Sequence, residues 1–294
     1  MYIEQLLDEK KKIVDEALEK NLSVYFGSDE SKLYEAMHYS LFPGGKRLRP
    51  ILAILINEAL GGKIDKVINS ACAIEFIHSA LLILDDLPSM DNSDFRRGKP
   101  SCHKMFGEST AILASIGLVS RAFEVLSDEF RANSIPHSVI VTIIREVAQR
   151  IGVHGAIGGQ FADLNAGQNL IDLKNNREKL DFIALHKTAS LFILSATVGA
   201  YLAKAQEHEI FALIEYATNL GYAFQVSDDL IDLEDANPLT FPKVYGFDQS
   251  VCLLREKIEQ AISNIGFLGK RSDSLKNIAH LILNRVHSES KNYK

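Results

Sequence analysis

Two short stretches of this chain gather carboxylates in a pattern that points to metal chemistry. Asp85-Asp86-Leu-Pro-Ser-Met-Asp91 and Asp228-Asp229-Leu-Ile-Asp232 lie 143 residues apart, and each directly follows an apolar stretch, Ala-Leu-Leu-Ile-Leu and Tyr-Ala-Phe-Gln-Val-Ser. Carboxylates that converge in a partly buried place lose hydration and repel one another unless cations hold them together. Hard oxygen donors without nearby Cys or paired His favour Mg²⁺ over zinc. The six aspartates Asp85, Asp86, Asp91, Asp228, Asp229 and Asp232 are therefore candidate metal ligands, two halves of one site. The plainer alternative is a pair of solvated acidic helix ends.

Helix geometry separates the two motifs. In a continuous helix Asp228 and Asp232 lie about 40° apart around the axis and can share a cation, whereas Asp85 and Asp91 lie about 240° apart. Pro88 resolves the second case, because it disfavours helical geometry at Leu87 and lets the chain bulge, bringing Asp91 back to the side of Asp85. Basic residues follow. Arg96-Arg97-Gly98-Lys99-Pro100 lies just beyond the first acidic motif, and Gly44-Gly45-Lys46-Arg47-Leu48-Arg49-Pro50 adds a cluster after a Pro-Gly-Gly turn. The fork of arginine suits bidentate phosphate binding and lysine adds a point charge. Carboxylates for Mg²⁺ beside guanidiniums for phosphate oxygens describe a diphosphate site.

The elements that position these groups read as helices almost throughout. Leu52, Leu55, Ile56, Ala59 and Leu60 recur at three and four, as do Ile143, Val147, Ile151 and His154, while strand-type alternation is scarce. The seven prolines fall at plausible helix ends or loops. Ser70–Leu84 and Ile210–Ile231 are apolar nearly all round, as central buried helices would be. The expectation is an all-α, barrel-like bundle. With no low-complexity run, linker or change of composition to mark a boundary, residues 1–294 read as a single domain. Three widely spaced cysteines, Cys72, Cys102 and Cys252, suggest reduced thiols in a cytoplasmic protein. The charged, amphipathic N-terminal stretch lacks the apolar core of a signal peptide, and no apolar run reaches the ~18 residues of a membrane span. A net charge of −6 argues against nucleic acid as a partner.

Five motifs in order, PGGKRLRP, DDLPSMDNSDFRRGKPSCHKMFGE, GGQFADL, LHKTASLF and FQVSDDLIDL, resemble the short-chain trans-isoprenyl diphosphate synthases, the family of farnesyl and geranylgeranyl diphosphate synthases. The resemblance runs from about Leu33 to Arg285. It implies an all-α bundle around a deep central cavity, usually a homodimer, and a Mg²⁺-dependent condensation of isopentenyl diphosphate with an allylic diphosphate. By that similarity Lys46, Arg49, His78 and Arg97 hold isopentenyl diphosphate. Arg96 and Lys187 hold the allylic diphosphate, and Thr188 and Gln225 turn neutral dipoles toward the allylic cation. Ala80 and Leu81, five and four residues before Asp85, are the family's chain-length positions. Ala80 leaves room for another isoprene unit, which favours a twenty-carbon product, while Leu81, intermediate in bulk, leaves a stop at fifteen open.

The chain departs from the family pattern in two places. The loop after Asp232 is much shorter, with Pro238 where a diphosphate-binding lysine is usual and Lys243 as the substitute; and the usual Gly-Asp after Ala-Ile-Leu-Ala reads Ser115-Ile116. Two other functions compete with the synthase: a noncatalytic partner subunit that kept the cavity, and a terpene cyclase, against which the cluster Lys46, Arg49 and Arg97 speaks.

Overall fold

The computed structural model describes residues 2–23, 31–42, 44–133, 135–166, 173–233, 237 and 239–289. They divide into two compact units, one of residues 1–54 with 62–140, the other of residues 55–61 with 141–294.

The first unit holds α1 (Tyr2–Leu22), α2 (Ser31–Leu41), the start of α3 (Leu48–Ala59), α4 (Ile68–Asp85), α5 (Cys102–Phe106) and α6 (Glu108–Ala132). Pro50 sits in the first turn of α3, where its missing N–H has no helical acceptor to lose. The centre is α4, buried from Ser70 to Ile77 and again at Ser79, Ala80 and Ile83, as its uniform apolarity predicts. Along it packs α6, burying Ala111, Ala114, Leu118, Ala122, Val125 and Leu126 at helical spacing. Glu129 of α6 caps the start of α4: its Oε2 accepts the backbone N–H and the hydroxyl of Ser70. Burial pushes the Glu129 carboxyl up to about 7, although the Ser70 donors pull the other way.

The second unit holds the end of α3, α7 (His137–Ile151, which begins in the first unit), α8 (Ala156–Leu164), α9 (Leu173–Ile183), a π turn (Ala184–Ala189), α10 (Ser190–Leu202), α11 (Glu207–Ile231), α12 (Phe241–Tyr245), α13 (Phe247–Asn264) and α14 (Asp273–Glu289). Here α10 is buried at every position but Tyr201. The charge-free run SLFILSATVGAYL permits this. By contrast α11 is less uniform than its sequence suggests: Phe211 in its first turns is exposed, and burial becomes dense only from Leu213 onward.

The expectation about membrane spans is corrected on one point. Ile68–Asp85, Glu108–Ala132 and Asn176–Leu202 are long and apolar enough, by length and composition alone, to cross a membrane. Scattered charges such as Glu75 interrupt each run, so counting unbroken apolar residues misses them. Most of the first and third stretches is buried within the protein, which accounts for their apolarity.

Candidate active site

In the first unit, α4 delivers the first acidic motif and then breaks. Asp86 caps the helix, and the chain turns through Leu87-Pro88 until the Asp91 N–H donates to the Asp85 carbonyl at 2.9 Å. The bulge anticipated from Pro88 is thus present, and it returns Asp91 to Asp85. Asn92 and Ser93 donate back to Leu87 and Asp86, with Asn92 in left-handed geometry at φ 49°. Beyond this knot a two-stranded hairpin forms, β1 (Phe95–Arg96) with β2 (Lys99–Pro100), Arg96 opposite Lys99. Its two-residue loop is Arg97-Gly98, both at positive φ (54° and 77°), as a tight hairpin turn requires. The side chains of the two arginines diverge. Arg96 donates through Nε to both oxygens of Asp86, at 3.0 and 3.2 Å, and through Nη2 in a shorter contact. Asp86, Asp85 and Asp91 all strengthen the charge of Arg96, the Asp86 hydrogen bond most and against the cost of burial. Asp86 is therefore buried on Arg96, whereas Asp85 is half-buried and Asp91 exposed.

Arg97 turns toward the PGGKRLRP loop. A Cβ on Gly45 would lie 3.0 Å from its guanidinium, and a Cβ on Gly44 would lie 1.8 Å from that of Arg47. The two glycines thus admit two arginines, and they differ in kind. Arg47 is fully buried, bonded to Glu75 at 2.7 Å, Asp15 at 2.8 Å and the Leu41 carbonyl at 2.6 Å. Burial opposes its charge, but Glu75 and Asp15 outweigh it. It is a scaffold residue that the sequence did not distinguish from its neighbours. Lys46 stays exposed, and Arg49 Nη1 meets His78 Nε2 at 3.3 Å. Since a guanidinium only donates, Nε2 accepts and the His78 proton sits on Nδ1. Burial, followed by the charges of Arg49, Arg97, Arg47 and Arg96, holds His78 well below its ordinary value, so it is neutral at pH 7. Arg97 is exposed by surface area, yet enough protein surrounds its guanidinium for desolvation, then Arg47 and Arg96, to lower its own value against the pull of Glu75. Arg49, His78 and Arg97 therefore form one basic cradle beside the first acidic motif, with Lys46 exposed on the same loop as Arg49.

Of the chain-length pair, Ala80 is fully buried and its carbonyl accepts the Ser115 hydroxyl at 2.9 Å; Leu81 is half-buried. Ser115, one of the departures from the family pattern, thus ties α6 to α4, and its neighbour Ile116 is exposed.

In the second unit the π turn carries Lys187 and Thr188. π turns insert an extra residue and recur at functional sites. Two glycines make room for it: a Cβ on Gly159 would lie 2.2 Å from the Lys187 nitrogen, and one on Gly221 2.6 Å from Ala189 Cα. One turn past Gly159 on α8, Asp163 holds Lys187 Nζ at 2.6 Å. Thr188 donates to Gln225 Oε1 at 2.5 Å, Gln225 Nε2 donates to Asp229 Oδ1 at 2.8 Å, and Asp229 Oδ2 accepts the Phe241 N–H at 2.9 Å. Asp229 is therefore nearly buried and anchors the chain that returns after the second motif. Asp228 pairs with Arg285 of α14 at 2.6 Å. Asp232 is the C-cap of α11: its N–H still donates to the Asp228 carbonyl at 3.0 Å, which keeps it one turn past Asp228, while its φ of −98° and ψ of 69° turn the following chain away, and it is exposed. Lys243 donates to the Asn237 carbonyl at 2.8 Å, and Asn237 in turn reaches Asp163 at 3.5 Å. Pro238 lies outside the described residues. Asp163 sits in a motif visible in the sequence, but its pairing with Lys187 and that of Arg285 with Asp228 were missed. Gln160, on the same face of α8 as Asp163, buries both amide atoms without a protein partner, which marks it as facing water or ligand.

Among the described residues no three His, Cys, Asp or Glu side chains gather closely enough to hold an ion by themselves. Magnesium does not need them to: it keeps several waters and leans on one or two carboxylates plus substrate phosphates. The all-oxygen donor set fits it, and the cations lodged on Asp86 and Asp228 show that these places favour positive charge.

Comparison with known proteins agrees with the motifs. The polyprenyl synthetase family model matches residues 30–252. Geranylgeranyl diphosphate synthase of Cyanophora paradoxa is 35% identical over 294 residues, covering 95% of each chain. Farnesyl diphosphate synthase of Geobacillus stearothermophilus is 42% identical over 248 residues, covering 84% of this chain and 81% of its own. The crystal structure of an FPP/GFPP synthase from Zymomonas mobilis superimposes with a TM-score of 0.87 at 33% identity, covering 96% of this chain and 99% of the other. The fold is the all-α isoprenoid synthase fold, and the chain belongs to the polyprenyl synthetase family.

Proposed function

We propose that this chain is a Mg²⁺-dependent trans-prenyltransferase that condenses isopentenyl diphosphate head-to-tail with dimethylallyl, geranyl or farnesyl diphosphate to give geranylgeranyl or farnesyl diphosphate. The observation that carries this reading is the basic cradle of Arg49, neutral His78 and Arg97 beside Arg96 and the first acidic motif, with Lys46 exposed on the same loop as Arg49. A cyclase, which ionises one diphosphate, has no use for a second diphosphate site. That the family match spans both compact units supports their action as a single polyprenyl synthetase domain.

In this reading Asp85, Asp91 and Asp228 ligate magnesium, which when bound neutralises the diphosphate leaving group. Asp229 is committed to Gln225 and Phe241, and Asp232, exposed one turn past Asp228 at the helix end, is the alternative second ligand. Arg96 exchanges Asp86, and Lys187 exchanges Asp163, for oxygens of the allylic diphosphate. The allylic carbon–oxygen bond breaks with its electrons leaving on diphosphate. The isopentenyl double bond forms the new carbon–carbon bond, and the departing diphosphate takes the proton lost from the adjacent carbon. Thr188 and Gln225 stabilise positive charge as neutral dipoles, and their mutual hydrogen bond leaves no strong nucleophile to trap it.

The exposed face of α6 bearing Ile112, Leu113 and Ile116 supports a homodimer, since an apolar helix stripe open to solvent is commonly an interface. Three unpaired cysteines, two of them buried, support a cytoplasmic location. The test of function is incubation of the purified chain alone with Mg²⁺, isopentenyl diphosphate and each starter, with chromatography of dephosphorylated products. Elongated trans products are expected. Diphosphate release without consumption of isopentenyl diphosphate would identify a cyclase, and inertness a partner subunit.

A further inference from the structure

The second acidic motif poses an electrostatic problem that its own helix cannot solve. Asp228, Asp229 and Asp232 crowd the C-terminal end of α11, where the helix carbonyls already concentrate negative charge, and the last turn carries no basic residue. Asp229 is relieved by Gln225 and the Phe241 N–H. Asp228 is relieved from another helix. Arg285 of α14 lies over the Phe224 ring, 4.8 Å from its centroid, and brings Nη2 to 2.6 Å from Asp228 Oδ1. Phe224 is one turn before Asp228 on the same face of α11, so the ring fixes the guanidinium in line with the carboxylate.

We propose that Arg285 is a positioning residue for Asp228: it holds the carboxylate as an internal counter-ion in the metal-free protein and competes with the divalent cation for it. The proposal rests on the reading of Asp228 as a magnesium ligand. Both partners are partly open, at 21% and 39% side-chain exposure, so water and ions reach the pair and exchange is feasible. A fully buried pair would be a scaffold, as Arg47 and Glu75 are. In this arrangement Arg285 prevents the acidic helix end from fraying when no metal is bound, and it sets the magnesium concentration at which the site loads.

The test is calorimetric titration of MgCl₂ into the full chain with saturating inorganic diphosphate, comparing wild type, Arg285→Met and Arg285→Lys. Methionine keeps the stem and its contact with Phe224 but removes the charge, and magnesium affinity should rise about five-fold, the scale of one partly screened charge at contact distance. Lysine retains the charge and should stay within about two-fold of wild type. Arg285→Met should melt below wild type without magnesium, and the gap should close at saturating magnesium as the bound ion takes over the neutralisation. Unchanged or weaker magnesium binding by Arg285→Met, or a melting gap that persists in magnesium, would overturn the proposal. Weaker binding would make Arg285 a support of the metal or diphosphate instead of its competitor. Because the readouts are heat and melting temperature, absence of condensation activity would count against the proposed function and leave this result standing.

Discussion

Replacing Gly159 with alanine is the sharpest probe of how α8 serves the site. The added Cβ would lie 2.2 Å from the Lys187 nitrogen and 2.6 Å from its Cα, whereas ordinary contact begins near 3.4 Å. The obstacle is backbone inside a packed π turn and cannot swing aside, so α8 and the turn must part by about 1.2 Å, the difference 3.4 − 2.2. Asp163 rides on α8 and Lys187 on the turn. Their 2.6 Å contact would then stretch toward about 4 Å and cease to be a hydrogen bond. Overpacking of this kind costs about 1–3 kcal/mol, which in a chain of this size lowers the melting temperature by roughly 2–10 °C. Since Lys187 and Thr188 move together, the Michaelis constant for the allylic diphosphate should rise about ten-fold or more, with that for isopentenyl diphosphate changed much less, its cradle being in the first unit. Scanning calorimetry and steady-state kinetics with each substrate varied in turn measure both effects. An alanine variant that melts within 1 °C of wild type, or one that loses affinity for both substrates alike, would refute the reasoning.

Asp85→Ala and Asp228→Ala should each lower turnover by about a thousand-fold or more at saturating magnesium; without metal the Asp228 variant should melt lower than the Asp85 variant, because it also strands Arg285. Lysine at position 96 should raise mainly the allylic Michaelis constant and lysine at 97 mainly that for isopentenyl diphosphate, each about ten-fold, and equal effects on both would refute the division. Glu129 is raised from 4.5 in the unfolded chain to about 7 when folded, so the folded state binds the extra proton between these values and its contribution to stability falls as pH rises from 4.5 to 7, then levels. Glu129→Gln should remove that fall, worth at most roughly 3 kcal/mol, and a melting profile as steep as wild type would show that other groups carry it. Because Ala80 is fully buried against α6 while Leu81 is half-buried, Leu81→Phe should shorten the main product by one five-carbon unit at little cost in stability, and Ala80→Phe should shorten it only with a loss of melting temperature; an unchanged product spectrum in both would place the cavity floor elsewhere.

What the sequence disclosed was local. The bulge at Pro88 followed from the steric restriction proline places on Leu87, and the structure closes it with the Asp91 to Asp85 hydrogen bond. The central burial of α4 followed from its apolarity, which no tertiary partner was needed to read. At Asp232 the helical spacing holds just far enough, since its N–H still donates to the Asp228 carbonyl, and the helix ends with that bond. Beyond that end Asp229 takes the Phe241 N–H twelve residues on, drawing the chain back to α11. Nothing within FQVSDDLIDL signals that bond. The π turn at LHKTASLF is equally silent, since its extra residue is accommodated by Gly159 and Gly221, distant in sequence.

The partners of the charged groups were the least legible part, and they sort the charges into two kinds. Lys46, Arg47 and Arg49 are nearly consecutive, yet Arg47 is fully buried with Glu75, at 0% and 2% side-chain exposure. Removing Glu75 would leave an uncompensated charge in the core, a loss of about 3–5 kcal/mol. Lys187 on Asp163 and Arg285 on Asp228 each keep at least one partner more than a fifth exposed, while Arg96 is open but its Asp86 is buried, a case between the two. Pairs open to solvent contribute little to stability, about 0–1 kcal/mol, and so can be exchanged for a ligand at little cost. A site that must bind diphosphate and metal and then release them needs charges of the second kind, held in place but not locked. Sequence supplies the types of the residues; only the depth at which each pair is buried tells a scaffold arginine from one that can let go of its carboxylate.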